Sequence, residues 1–302
     1  MISEYPTRAV SPHVLGAEFG WLFTSQVDRT MSGAATKFRR AREHLKTVQN
    51  EIERVTDPSN FRVRYEVSRD DRWHEWFVEE LAQLDPSLPL CIGDAVHNYR
   101  STLDHVAWEL VRVVGIPPGR ETGFPITTES EVSSFDRRLP REHPLNELLA
   151  NYLFTKETRS SIHPLLNLGR LDNADKHRML LAAVTRVGDA YFGTPQSVTV
   201  TGAVRTEMPI DIGHLYMRVQ TKDAHRFQPD DAVTTLGVTF TEPYPRLRND
   251  GKTHPEDKDL KAEGVLESLQ SIDAYINTNV LRWADWYVQA LDAYEARRRL
   301  GR

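Results

Sequence analysis

A chain of 302 residues can bury a substantial core and form one or two domains. At 39% hydrophobic and 27% charged, its composition is that of a soluble globular protein, which excludes a disordered chain. A net charge of −5 excludes the broad basic coat of a non-specific DNA binder, while leaving room for a small basic cleft.

The first 20 residues, with Pro6, Pro12 and Gly16, read as irregular. They lack a charged-then-apolar pattern, so a signal peptide is not expected there. A helical pattern runs from Ser25 to about Val55 and stops at Asp57 and Pro58. "FRVRYEVS" at 61–68 alternates apolar and polar residues and predicts a strand. "WHEWFVEEL" at 73–81 fits either a second strand or a short helix. Pro86 and Pro89 introduce a helix over 88–114, which Gly115 and the following "PPG" terminate. Cys91 lies near its start and reads as a small core residue. As the only cysteine, it excludes an internal disulfide and a cysteine-based zinc site within one chain.

A proline- and serine-containing connection leads to the next helix, predicted over 163–184. It contains the longest aliphatic run, "MLLAAV" at 179–184, far short of the roughly 20 residues of a membrane span. The expectation is a cytoplasmic protein with no membrane partner. From 185 to 245 the period changes to two and turn residues recur, which predicts an antiparallel β segment. A solvated linker follows. The stretch 262–298 then places Val265, Leu269, Ile272, Ile276, Val280, Trp283, Tyr287 and Leu291 at steps of three and four. That is a long amphipathic helix, with Trp283 and Trp286 read as core. The fold class expected is α+β: a helical bundle over 1–184 with a short β element near 61–68, a β segment over 185–245, and a linker with a closing helix over 246–302 that returns to the bundle.

The helix "GDAVHNYRSTLDHVAWELV" at 93–111 carries the densest chemistry. At about 100° per residue, Ile92, Val96, Tyr99, Leu103, Val106, Ala107, Leu110 and Val114 form one apolar stripe. His97, Arg100, Asp104 and Trp108 share one polar flank, and Asp94, Asn98, Thr102, His105 and Glu109 share the other. The segment contains no lysine. His, Asn and Asp are weak helix formers, so their repeated use predicts a half-buried polar network instead of a solvated face. In the 163–184 helix, Leu168, Leu171, Met179 and Ala182 form an apolar stripe with Asp175 near its centre. A carboxylate there needs a donor; Arg100 or His105 could supply it, and Arg100 is the preferred partner. His177 points away from that stripe, toward the surface or a cleft.

These segments resemble a family of uncharacterised bacterial proteins that carry a GDxxHNxRSxLDH stretch followed by an N-x-x-DKHR stretch. The likeness covers roughly residues 60–185. More distantly, Arg100-Ser101-Thr102-Leu103-Asp104-His105 resembles the Arg-x4–6-His motif of HEPN helical domains. That resemblance implies a homodimer that brings two copies of the motif into one cleft. It implies an RNA partner that is bound, or cleaved without metal by attack of the RNA's own 2′-hydroxyl, in a defence or toxin system. Arg100 and His105 would be the catalytic pair: His105 would move the proton and Arg100 would hold the scissile phosphate. His97, Asn98, Asp104, Asp175 and His177 would form the supporting network. Arg100 and His105 lie about 140° apart on an ideal helix, so only the length of arginine or a partner chain could join them.

Two further readings stand beside this one. In the first, the chain is a non-enzymatic scaffold or interaction protein whose Arg/His/Asp network fixes the bundle. In the second, His97, Asp104, His105, Asp175 and His177 supply ligands for a metal-dependent hydrolase. No cofactor is expected, because the chain has no G-x-x-x-x-G-K or G-x-G-x-x-G loop, and no G-x-S-x-G elbow marks a serine hydrolase.

Overall fold

The computed structural model describes residues 31–68, 73–113, 115, 117–120, 122–126, 164–177, 183–192, 200–205, 211–221, 227, 232–240 and 264–300. It is an α+β protein. Helix α1, Ser32–Thr56, ends where Asp57 turns extended and its carboxylate accepts the Ser59 N–H at 2.8 Å, capping a single 3₁₀ turn. Strands β1 (Phe61–Val67) and β2 (Trp73–Leu81) then form an antiparallel hairpin. "WHEWFVEEL" is therefore a strand: its period of two buries His74, Trp76 and Val78 on one side.

Helix α2, Leu88–Val113, packs along α1, and α3, Pro164–His177, packs against α2. The helix predicted to continue to 184 does not: Ala183 and Val184 already lie in β3 (Ala183–Phe192). There they pair with Phe240 and Thr239 of β6 (Ala232–Phe240). Between them in the chain come β4 (Val200–Arg205) and β5 (Leu215–Thr221).

The strands divide between two sheets. One is four-stranded and antiparallel, in the order β1-β2-β5-β4; the other is the β3-β6 pair. The early hairpin and the later β segment thus share a sheet. The two sheets contribute mainly to different cores, with Leu236 of β6 packing against the smaller one. Val238 and Phe240 of β6 join the main cluster with α1, α2 and α3, whereas Trp76, Val78, Met217, Val219 and Phe227 form a smaller cluster on the four-stranded sheet.

The closing helix is continuous but not uniform. It runs as α4 (Val265–Tyr275), a π-helical segment (Ile276–Leu281) and α5 (Arg282–Leu300). Val265, Leu269, Ile272, Ile276 and Val280 are buried as predicted, and the helix returns to the bundle. Past the π segment, whose wider turn shifts the register, the buried apolar positions are Ala284 and Val288, with Asp285 buried beside them. Trp283 and Tyr287 are left half-buried and stacked, 5.3 Å apart, and Trp286 is 56% exposed. Trp286 is therefore not core. Among the described residues, no helix is long and apolar enough to cross a membrane.

Candidate functional site: the two polar flanks of helix α2

The apolar stripe of α2 is as predicted from Ile92 to Leu110, and every residue of it is buried; Val114 lies outside the described residues. The polar residues beside it fall on two flanks, one facing α3 and the segment after α2, the other facing mainly α1.

The Arg100 flank faces the segment after the helix. Arg100 Nη2 donates to Asp104 Oδ1 at 3.0 Å and to the Phe124 carbonyl at 2.8 Å. Asp104 Oδ1 in turn accepts the Phe124 N–H at 2.9 Å. The i,i+4 pair thus satisfies both backbone groups of one residue, whose ring is buried. One helical turn earlier, His97 points to α3: its Nδ1 is 3.9 Å from Asp172, which also accepts a hydrogen bond from Lys176 Nζ at 2.7 Å.

The His105 flank faces α1. His44 of α1 lies 3.9 Å from Asp94. Asn98 and Thr102 are buried and turn back onto their own helix, donating to the carbonyls of Asp94 and Asn98 at 2.7 and 2.8 Å. At the far end, Glu109 Oε1 accepts the Gly33 N–H at 3.0 Å, and the Ala34 N–H beside it also favours the ionised carboxylate. Helix α1 has no acidic residue in its first turn and no side-chain cap from Met31, so Glu109 supplies its N-terminal cap from another helix. Burial pushes the Glu109 carboxyl up, against the two amides that hold it down. Its Oε2 is buried without a hydrogen-bond partner among the described residues. The approach is close: a Cβ on Gly33 would sit 2.6 Å from Glu109 Oε1 and 2.7 Å from His105 Nδ1.

Asp175 takes a third position. The expected pair with Arg100 does not form, because Arg100 is committed to Asp104 and Phe124. Asp175 packs instead on Gly93, two turns before Arg100, where a Cβ would lie 2.6 Å from its Oδ1. Burial pushes its carboxyl up, reinforced by Asp172 and Asp94 and opposed by His97 and Lys176. Arg100, His105 and Asp175 therefore do not meet within one chain: they touch Phe124, Gly33 and Gly93 respectively. His177 ends α3, and its side chain lies outside the described residues. Among the described residues, no group of three or more His, Cys, Asp or Glu is arranged to hold a metal ion. Cys91 is half-buried against the core.

One polar triad escaped the sequence reading. The Tyr99 hydroxyl, inside the apolar stripe, donates to Asp273 Oδ1 at 2.9 Å. Arg42 of α1 grips the same carboxylate with two bonds of 2.8 Å and lies 4.5 Å over the Phe38 ring. Burial, then Asp273, pushes the Tyr99 hydroxyl far up, keeping it protonated. The signal available was Tyr99 itself, since a buried tyrosine requires a partner for its hydroxyl. Its partner, 174 residues away, carries no local signature. No family model matches the chain, and no curated protein or solved structure does so either.

Proposed function

We propose that the chain is a non-enzymatic scaffold or interaction protein, in which the Arg/His/Asp face of α2 locks neighbouring segments into the bundle. One observation carries this reading: the two side chains that would do chemistry are each engaged with a different segment. Arg100 holds both Asp104 and the Phe124 carbonyl, and His105 is packed on the N-terminus of α1. A phosphate-binding arginine presents its guanidinium to the substrate, whereas Arg100 spends Nη2 on two acceptors of its own fold and its side chain is only 20% exposed.

The test sets this reading against a HEPN-like homodimer that cuts RNA. Wild type, Arg100→Ala and His105→Ala would be incubated with total RNA, with and without EDTA, and melted in parallel. The scaffold reading expects no cleavage that depends on either residue, and a lowered melting temperature for Arg100→Ala. Chelator-resistant cleavage by wild type that His105→Ala abolishes at an unchanged melting temperature would overturn it.

A further inference from the structure

The chain also contains a recess that the α2 network does not use. It lies between α1 and the π-helical segment, has a volume of about 220 Å³, and is lined by Met31, Ala35, Phe38, Arg39, Arg42 and Leu281. The α1 residues follow steps of three and four, so they form one face of that helix. Leu281 is the last residue of the π segment, where the closing helix departs from α-helical register. The body of the recess is therefore a ring, two aliphatic side chains and a methyl group, and the polar groups at its edge are two arginines.

The two arginines are not equivalent. Arg42 is neutralised by two hydrogen bonds to Asp273 and lies over Phe38, so it acts as a wall. Arg39 is exposed and makes no ion pair among the described residues. The nearest acid one turn on, Glu43, is held by Arg40 at 2.8 Å. Among the described residues, the mouth thus presents one guanidinium without an ion pair above an apolar floor.

We infer that this recess is a binding site for a small apolar molecule bearing one carboxylate, such as an acid with a chain of about eight carbons or one aromatic ring. Size and charge both support that class. An apolar cavity of about 150 Å³ already takes benzene, so this one admits a somewhat longer body. One guanidinium fork matches the two oxygens of one carboxylate, and its single positive charge balances a monoanion. The inference is independent of the role assigned to Arg100 and His105, since no residue of α2 lines the recess.

Octanoate is the probe, titrated into the full chain by calorimetry, with octanol as the uncharged control. Saturable one-to-one binding of octanoate is expected, about tenfold weaker in Arg39→Ala, the magnitude of one lost charge-assisted contact. Octanol should bind wild type and Arg39→Ala alike. Ala35→Leu, which fills the recess without touching a charge, should weaken both ligands. Melting curves identify any variant that fails to fold. In that event, line broadening of octanoate proton resonances by wild type, relieved by a competing arylalkanoate but not by octylamine, reads the same site. Absence of saturable octanoate binding to wild type, or binding unchanged in both folded variants, would overturn the proposal.

Discussion

The Tyr99 hydroxyl reaches Asp273 Oδ1 at 2.9 Å and, with Arg42 on the same carboxylate, joins three helices through one acid. Tyr99 is fully buried, so removing its partner leaves a hydroxyl with nothing to bind. Asp273→Ala should therefore cost about 2 kcal/mol, and Tyr99→Phe, which removes the donor cleanly, about 1 kcal/mol. The double variant should cost less than the sum, because the two losses share one bond. Urea unfolding of the four proteins measures this coupling.

Gly33 bears on the cap that α2 provides to α1. Alanine favours helix over glycine by up to about 1 kcal/mol, so Gly33→Ala would ordinarily stabilise. Here its methyl would displace Glu109 and His105, and the cap would be lost with them. The expected outcome is a lower melting temperature for Gly33→Ala and for Glu109→Ala, and a double variant little worse than either. A stabilised Gly33→Ala would show that Glu109 does not depend on this close approach.

Arg100 and Asp104 should behave as one unit around Phe124. Arg100→Ala and Asp104→Ala are each expected to lose about 1–2 kcal/mol, with strong non-additivity. Hydrogen exchange gives the local reading: the Phe124 amide, protected by Asp104 in wild type, should exchange markedly faster in Asp104→Ala.

Asp175 makes a prediction with a definite sign. Its folded carboxyl is raised above the reference value of 3.8, so the folded state holds that proton more tightly than the unfolded chain does. The stability this provides is fully present below the unfolded pKa and is lost as pH rises through the folded one. At neutral pH the ionised group, packed on Gly93 near Asp172 and Asp94, is a burden on the fold. Asp175→Asn imitates the protonated form. It should raise the melting temperature at pH 7, and its curve should converge with that of wild type as the pH falls toward 3.5. A variant less stable than wild type at pH 7 would contradict the assigned surroundings of Asp175.

What could be read beforehand depended on how far each signal travels along the chain. The stripe from Ile92 to Leu110 and the Arg100–Asp104 step are written within one helix, and both are present. The acceptor on Phe124 is a backbone carbonyl, which every residue has, so nothing in the text marks it. Gly33 and Gly93 matter for a missing Cβ, and that matters only once another helix is alongside. The exposure of Trp286 follows from a π segment that apolar spacing does not reveal, because a three-to-four step accommodates one extra residue unnoticed. The placement of Asp175 went astray for a related reason. The need for burial was legible, but the choice between Arg100 and the open backbone at Gly93 was settled by helix packing.

The order β1-β2-β5-β4 has a consequence for how the molecule is made. The hairpin Phe61–Leu81 leaves the ribosome early, with one edge of β2 bare, and β5, which covers that edge, lies far downstream. All of α2 and α3 must be synthesised first. Until then an open strand carrying Trp73, Trp76 and Phe77 is available to any stray chain, with Glu75, Glu79 and Glu80 the charges that discourage such pairing. A nascent chain halted before Leu215 should therefore be the most aggregation-prone stage in the life of this protein.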